Sequence, residues 1–316
     1  MTGSSALVSP CAGDLGRLAA PPGPGPNPGI HLGNQPGVGA PVDPTGPSGW
    51  CAELHLGFAE RGGRTVIAEH HHLGPLTVQR AFYPEGAVAH CYVLHPPGGV
   101  VGGDRLELDL GVGEGAQALI TAPGATKLYR SAGADARVTQ RLRVAAGGVL
   151  EWLPQETILF PGARARIATE VHLAVGARFI GWEVSCLGRP AIDERFTAGH
   201  ADLGLAIRRD GRPLLLERLR VCDGAGLDGA SGLRGYPVVA TLVATGGSSD
   251  DLEAVRDGIG AEPSVLWAAT RVEDLLVVRV LAGYAEPAHR LVRAVWGILR
   301  PRLLDRPPCP PRIWGT

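Results

Sequence analysis

A chain of 316 residues can bury a sizeable core, and its formal net charge of −1 lacks the basic surplus of a nucleic-acid-binding surface. No run of about 18 apolar residues occurs, which argues against a spanning helix, and the first residues show no basic stretch leading into an apolar one, as a secretory signal requires. Six cysteines stand far apart, at 11, 51, 91, 186, 222 and 309, with no CxxC pair; they read as reduced thiols of a cytoplasmic protein, most of them buried as small apolar residues.

Residues 1–48 contain PPGPGPNPG and GAPVDPTGPSG. Proline removes a backbone donor and glycine raises the entropy cost of ordering, so this extension is expected to be disordered. A single domain is expected over 49–316, its folded part beginning near Trp50. From there to about residue 245 the chain reads as short strands separated by glycine and proline: ELHLGFAE, RTVIAE, LTVQRAF, HCYVLH, RLELDL, QALITA, RVTQRLRV, GGVLEWL, IATEVHLAV and RFIGWEV. Residues 205–221 (LAIRRDGRPLLLERLRV) predict a hairpin around Asp210-Gly211. Helical spacing is confined to two stretches. Ser249-Asp250 caps a predicted helix over 251–259, and 286–299 places Leu291, Val295, Ile298 and Leu299 on one face, with Pro301 as its stop. Both follow the strands, so the expected class is mainly β with helices at one end. No repeat of fixed period is visible.

HPPGGVVGGDR (95–105) raises the question of a phosphate cradle. Such a cradle needs glycine amides leading into a helix, whereas here RLELDL follows, so the glycines read as a strand–turn–strand connection with close backbone approach. PGATK (123–127) lacks the GxxxxGK[ST] spacing and reads as a polar turn. In EHHH (69–72), His70 and His72 share a face of a strand and His71 does not. Imidazole suits nickel, zinc or copper, but a closed site needs about four ligands. The stretch is therefore expected to be a solvated loop. His90 and Cys91 point apart on a strand, so with His95 they make no closed site.

Four acids lie inside apolar sequence: Glu151 and Glu156 in LEWLPQETILF, Glu183 in GWEVSCLGR and Glu217 in LLLERL. Each is either solvated or needs a partner, and Arg189 and Arg218 are the expected partners. An acid/base pair of Glu151 and Glu156 is a weaker reading, since a spacing of five sets them on opposite faces of a regular strand.

Together these stretches resemble one family. GPLTVQRAFYPEG (74–86), LHPPGGVVGGDRL (94–106), PGATKLYRSAG (123–133), LEWLPQETILFPGA (150–163), CLGRPAI (186–192), PLLLERL (213–219) and the terminal PRIWGT resemble the urease accessory protein UreD, called UreH in some organisms, in the family's order from about residue 49 to the end. Where the family commonly has Cys-His, this chain has Ala89-His90 with its cysteine at Cys91, which moves the thiol to the other strand face. The resemblance implies a non-enzymatic scaffold built as a stacked, roughly helical arrangement of β-sheets with a few helices. It also implies binding to UreF, to the GTPase UreG and to apo-urease, with no resident cofactor and nickel only in transit. Asp104, Glu183 and Glu217, with Arg189 nearby, match a proposed nickel path in such proteins. The alternative expectation is a stand-alone nickel- or zinc-binding protein using the His-rich segments.

Overall fold

The computed structural model describes residues 49–260 and 262–315, so the disorder expected over 1–48 lies outside the described residues. In chain order the strands are β1 (Cys51–Arg61), β2 (Arg64–Leu73), β3 (Thr77–Val78), β4 (Ala89–Leu94), β5 (Arg105–Val112), β6 (Gln117–Thr121), β7 (Thr126–Leu128), β8 (Ala136–Val144) and β9 (Val149–Trp152). They continue with β10 (Thr157–Leu159), β11 (Arg164–Leu173), β12 (Arg178–Arg189), β13 (Glu194–Arg195), β14 (His200–Arg209), β15 (Arg212–Cys222) and β16 (Val238–Thr245). Helix α1 (Ser249–Gly258), strands β17 (Val265–Val272) and β18 (Leu275–Ala282) and helix α2 (Ala285–Leu304) follow.

The chain winds between two sheets. Strands β1, β5, β8, β11 and β14 lie parallel in a seven-stranded sheet ordered β15-β14-β11-β8-β5-β1-β2. Strands β4, β6, β9 and β12 lie parallel in a second sheet, which β16, β18 and β17 extend in antiparallel fashion. Each coil deposits one strand on each sheet, as in a solenoid, which matches the expected stacked β arrangement. Arg105, Arg137, Arg166 and Asp202 stand in register on successive coils, so those coils take 32, 29 and 36 residues by difference. Unequal coils leave the sequence without a fixed period.

Alternation builds three layers. Leu54, Leu56, Leu106, Leu108, Val138 and Leu142 point between the sheets and form one core with Trp152, Phe179 and Leu187. Ile180, Trp182, Val184 and Cys186 of β12 point the other way, into a second core under α1 and α2. The second sheet is thus buried on both faces, and its strands read as near-continuous apolar runs.

The hairpin at Asp210-Gly211 forms as predicted, with φ of 45° and 81° at the two turn positions. The glycine loop at 95–105 also connects two strands. Gly98 and Gly103 hold φ of 76° and 97°, while a Cβ on Gly99 would fall 2.2 Å from the Tyr129 ring. PGATK turns at Pro123–Ala125 and then enters β7.

Several expectations are corrected. EHHH is not a loop but the exposed half of β2, paired with β1 along its length. Helix α1 begins two residues early, at Ser249: Ser248 is the N-cap, exchanging hydrogen bonds with Asp251 in a capping box. Pro301 does not stop α2, which runs on to Leu304. The missing N–H falls in the last turn, where buried Arg300 and Leu304 on either side hold the helix down. Strands β17 and β18 lie between the helices, and both helices cover a face of the second sheet rather than sitting at an end. Among the five described cysteines, all free, only Cys91 and Cys186 are buried; Cys51 and Cys222 are exposed.

Candidate functional site

The inward faces of the two sheets carry an apolar row interrupted by polar groups. Across the first sheet the register aligns Leu54, Leu108, Gln140, Thr169, Leu205 and Glu217. Across the second it aligns Glu183 of β12, Thr241 of β16 and Arg279 of β18. All six polar side chains meet between the sheets, because each occupies an inward position of its alternating strand.

Thr169 is the buried link. Its Oγ1 lies 2.8 Å from Gln140 Oε1 and also in hydrogen-bond contact with Glu183 Oε1. A hydroxyl has one hydrogen, so Thr169 donates to one of these acceptors at a time. Glu217 reaches across from the first sheet, accepting from Thr241 Oγ1 at 3.4 Å and pairing with Arg279. Arg279 therefore balances Glu217 and leaves Glu183 as the carboxyl without a cationic partner. Burial pushes Glu183 up to about 7; the Thr169 hydrogen bond opposes the rise and the charge of Glu217 adds to it. Near neutrality this carboxyl divides between its neutral and charged forms.

The two partners of Thr169 each line a cavity, Gln140 one and Glu183 the other. One, of about 640 Å³, lies between β14–β15 and the second sheet and is lined by Glu183, Ser185, Glu217 and Thr241, by Arg218, Arg234 and Arg279, and by apolar neighbours. The other, of about 240 Å³, lies among earlier coils and is lined by His95, Lys127, Thr139 and Gln140 beside Trp152. Burial holds His95 below the usual imidazole range, with Asp104 opposing.

The sequence-derived residues are thus partly brought together. Glu183 and Glu217 line one cavity. Asp104 lies apart from it, its Oδ1 and Oδ2 accepting the backbone N–H groups of Trp50 (2.8 Å) and Val101 (2.9 Å), so that it ties the glycine loop to the start of β1. Arg189 is six residues beyond Glu183 on β12, paired with Glu194 and stacked on the Phe160 ring at 4.7 Å. The expected ion pairs of Glu183 and Glu217 with Arg189 and Arg218 do not form; Arg218 serves Asp202 instead. Gln140, Thr169, Thr241 and Arg279 were missed by sequence reasoning, although a polar residue at the inward parity of RVTQRLRV or RIATEVHL is a visible signal.

Glu151 and Glu156 point to the helix side and are not an acid/base pair. Glu156 Oε2 lies 2.9 Å from His289 Nε2. Glu151, with a side chain 2% exposed, accepts from Trp296 Nε1 at 2.7 Å and from Arg300 Nε and Nη2 at 3.0 Å each. Arg300, fully buried, also donates to Glu85 Oε1 at 2.6 Å. Burial alone raises Glu85, but hydrogen bonds from His90 and Arg300 outweigh it and bring the carboxyl down to about 2. Ligand atoms of Glu85, His90 and Cys309 lie within 4.8 Å of one another, yet Arg300 already supplies the positive charge there.

The model of the family described as UreD urease accessory protein matches residues 51–315. The chain belongs to the UreD family. Urease accessory protein UreD of Alcanivorax borkumensis is 49% identical over 273 residues, covering 85% of this chain and 93% of the relative. The UreD proteins of Azoarcus sp. and of Pseudomonas putida (strain W619) are 50% and 47% identical, each match covering 85% of this chain and 95% of the relative. The UreD match begins at the first residue of β1 and spans both sheets and both helices. Among the described residues no helix is long and apolar enough to cross a membrane.

Proposed function

We propose that this chain is a non-enzymatic scaffold of urease maturation in the cytoplasm, that it binds UreF, UreG and apo-urease, and that nickel crosses it through the interior between the sheets on its way to the urease site. Membership of the UreD family supports the maturation role. The passage rests on one observation: the Gln140–Thr169–Glu183 chain of polar contacts connects a cavity lined by His95 and Gln140 to a cavity lined by Glu183 and Glu217.

An ion in transit needs attraction without capture. Single carboxylates and water exchange a divalent cation readily, whereas thiolate or multi-imidazole cages retain it. Glu183 fits that requirement, because an arriving cation favours its charged form and relieves the cost of burying it. Glu217 adds a second oxygen donor whose charge Arg279 moderates. In this reading Asp104 holds the loop beside His95, at the margin of the other cavity.

The test has two stages. Co-expressed with its cognate UreF and UreG, the chain should co-migrate with them in size-exclusion chromatography; separate elution would defeat the scaffold reading. Glu183→Gln and Glu217→Gln should leave that assembly intact and lower the nickel content of co-expressed urease. Unchanged nickel with intact assembly would defeat the passage.

A further inference from the structure

The interior leaves the His-rich stretch of β2 unused, and the strand register gives it partners that the sequence does not reveal. In the β1–β2 hairpin His55 stands directly opposite His71, Glu53 opposite Leu73, and Gly57 opposite Glu69. Leu54, Leu56 and Phe58 alternate with the β1 residues and are buried. The two histidines and both acids therefore project from the outer face.

On that face the His55 and His71 rings have centroids 6.0 Å apart. The two carboxylates flank them diagonally, one on each strand, and His55 Nε2 already lies 3.8 Å from Glu53 Oε2. Gly57 keeps the space clear, since a Cβ there would come 2.9 Å from Glu69 Cβ. The neighbouring acids of β5 are taken, Glu107 by Arg141 and Asp109 by Arg143. Neither Glu53 nor Glu69 pairs with an arginine or lysine among the described residues.

Imidazole with carboxylate is a donor set for borderline divalent metals. Two imidazoles bound to one ion at about 2.0–2.1 Å have centroids roughly 4.5–5 Å apart, so the pair needs to close by about 1 Å. Rotation of exposed side chains supplies that movement. We propose that the outer face of this hairpin is a capture site for a divalent transition metal, held by His55 and His71 with Glu53, whose carboxylate already reaches His55, and completed by water, while Glu69 on the far side of the pair adds negative charge. The opposite face differs. His70 and His72 stack there at 5.5 Å, but Leu56 and Leu54 stand across from them and no carboxylate joins. The site is open to solvent and stands independently of the interior passage.

Equilibrium dialysis of the full chain against NiCl2, and separately ZnCl2, tests the assignment. His55→Ala/His71→Ala should lose one bound equivalent of either metal, while His70→Ala/His72→Ala and Glu183→Gln/Glu217→Gln should keep it. Far-UV circular dichroism confirms that each variant is folded. Full binding by His55→Ala/His71→Ala overturns the proposal, as does loss of the equivalent in His70→Ala/His72→Ala. Loss only in Glu183→Gln/Glu217→Gln also overturns it, by placing the metal in the interior and leaving the passage reading intact.

Discussion

Replacing Glu183 by glutamine should stabilise this protein, and do so more at pH 8 than at pH 5. Burial raises the carboxyl from its ordinary 4.5 to about 7. Over that interval the unfolded chain has released the proton and the folded chain keeps it, so the unfolded state binds fewer protons and stability falls as pH rises. Above about pH 7 the loss is complete and constant. At about 1.4 kcal/mol for each pH unit, the ceiling is about 3 kcal/mol. Water in the 640 Å³ cavity screens part of it, which brings the expectation to about 1–3 kcal/mol. Glutamine keeps the shape and an oxygen for Thr169 but carries no charge. For a domain of this size each kcal/mol moves the melting temperature by about 2–4 °C, so the variant should melt roughly 2–12 °C above the parent at pH 8 and close to it at pH 5. Thermal unfolding followed by circular dichroism at the two pH values measures this. An equal difference at both, or a lower melting temperature for the variant at pH 8, would refute the reasoning.

Arg300→Met strands Glu151 as a buried carboxylate without a cation, and should cost about 3–5 kcal/mol in urea denaturation; a loss under about 1 kcal/mol would mean that Trp296 alone satisfies it. Gly102→Ala should cost about 1–3 kcal/mol through overpacking, because its Cβ would meet Ser131 Oγ at 2.1 Å and the Ala134 carbonyl oxygen at 2.7 Å. Gly124→Ala, in the neighbouring PGATK turn with nothing within 4 Å, should melt with the parent, and equal effects at the two glycines would contradict the close-approach argument.

Much of the first sheet was legible because its strands face water on one side. RLELDL and RVTQRLRV alternate plainly, and Asp210-Gly211 has the turn chemistry its backbone demands. The second sheet is harder to read. Buried on both faces, LLVVRVLA of β18 has no alternation to mark it, and the strands between the two helices went unseen. Glu183 and Glu217 were found as acids among apolar residues, but their true partners come from strands 14 to 62 positions away in sequence. Local spacing carries no trace of such pairings. The same holds for His55 and His71, which only the hairpin register sets face to face.

Arg300 bonds to Glu85 across 215 residues of chain, to Glu151 across 149, and to the Pro307 carbonyl just beyond its own helix. During synthesis the earliest coils therefore wait for nearly the whole polypeptide before these carboxylates gain their cation. Until α2 arrives, the apolar outer side of the second sheet also stays bare. A body tied together by such distant partners forms slowly and is most vulnerable to aggregation while its C-terminal helix is still on the ribosome.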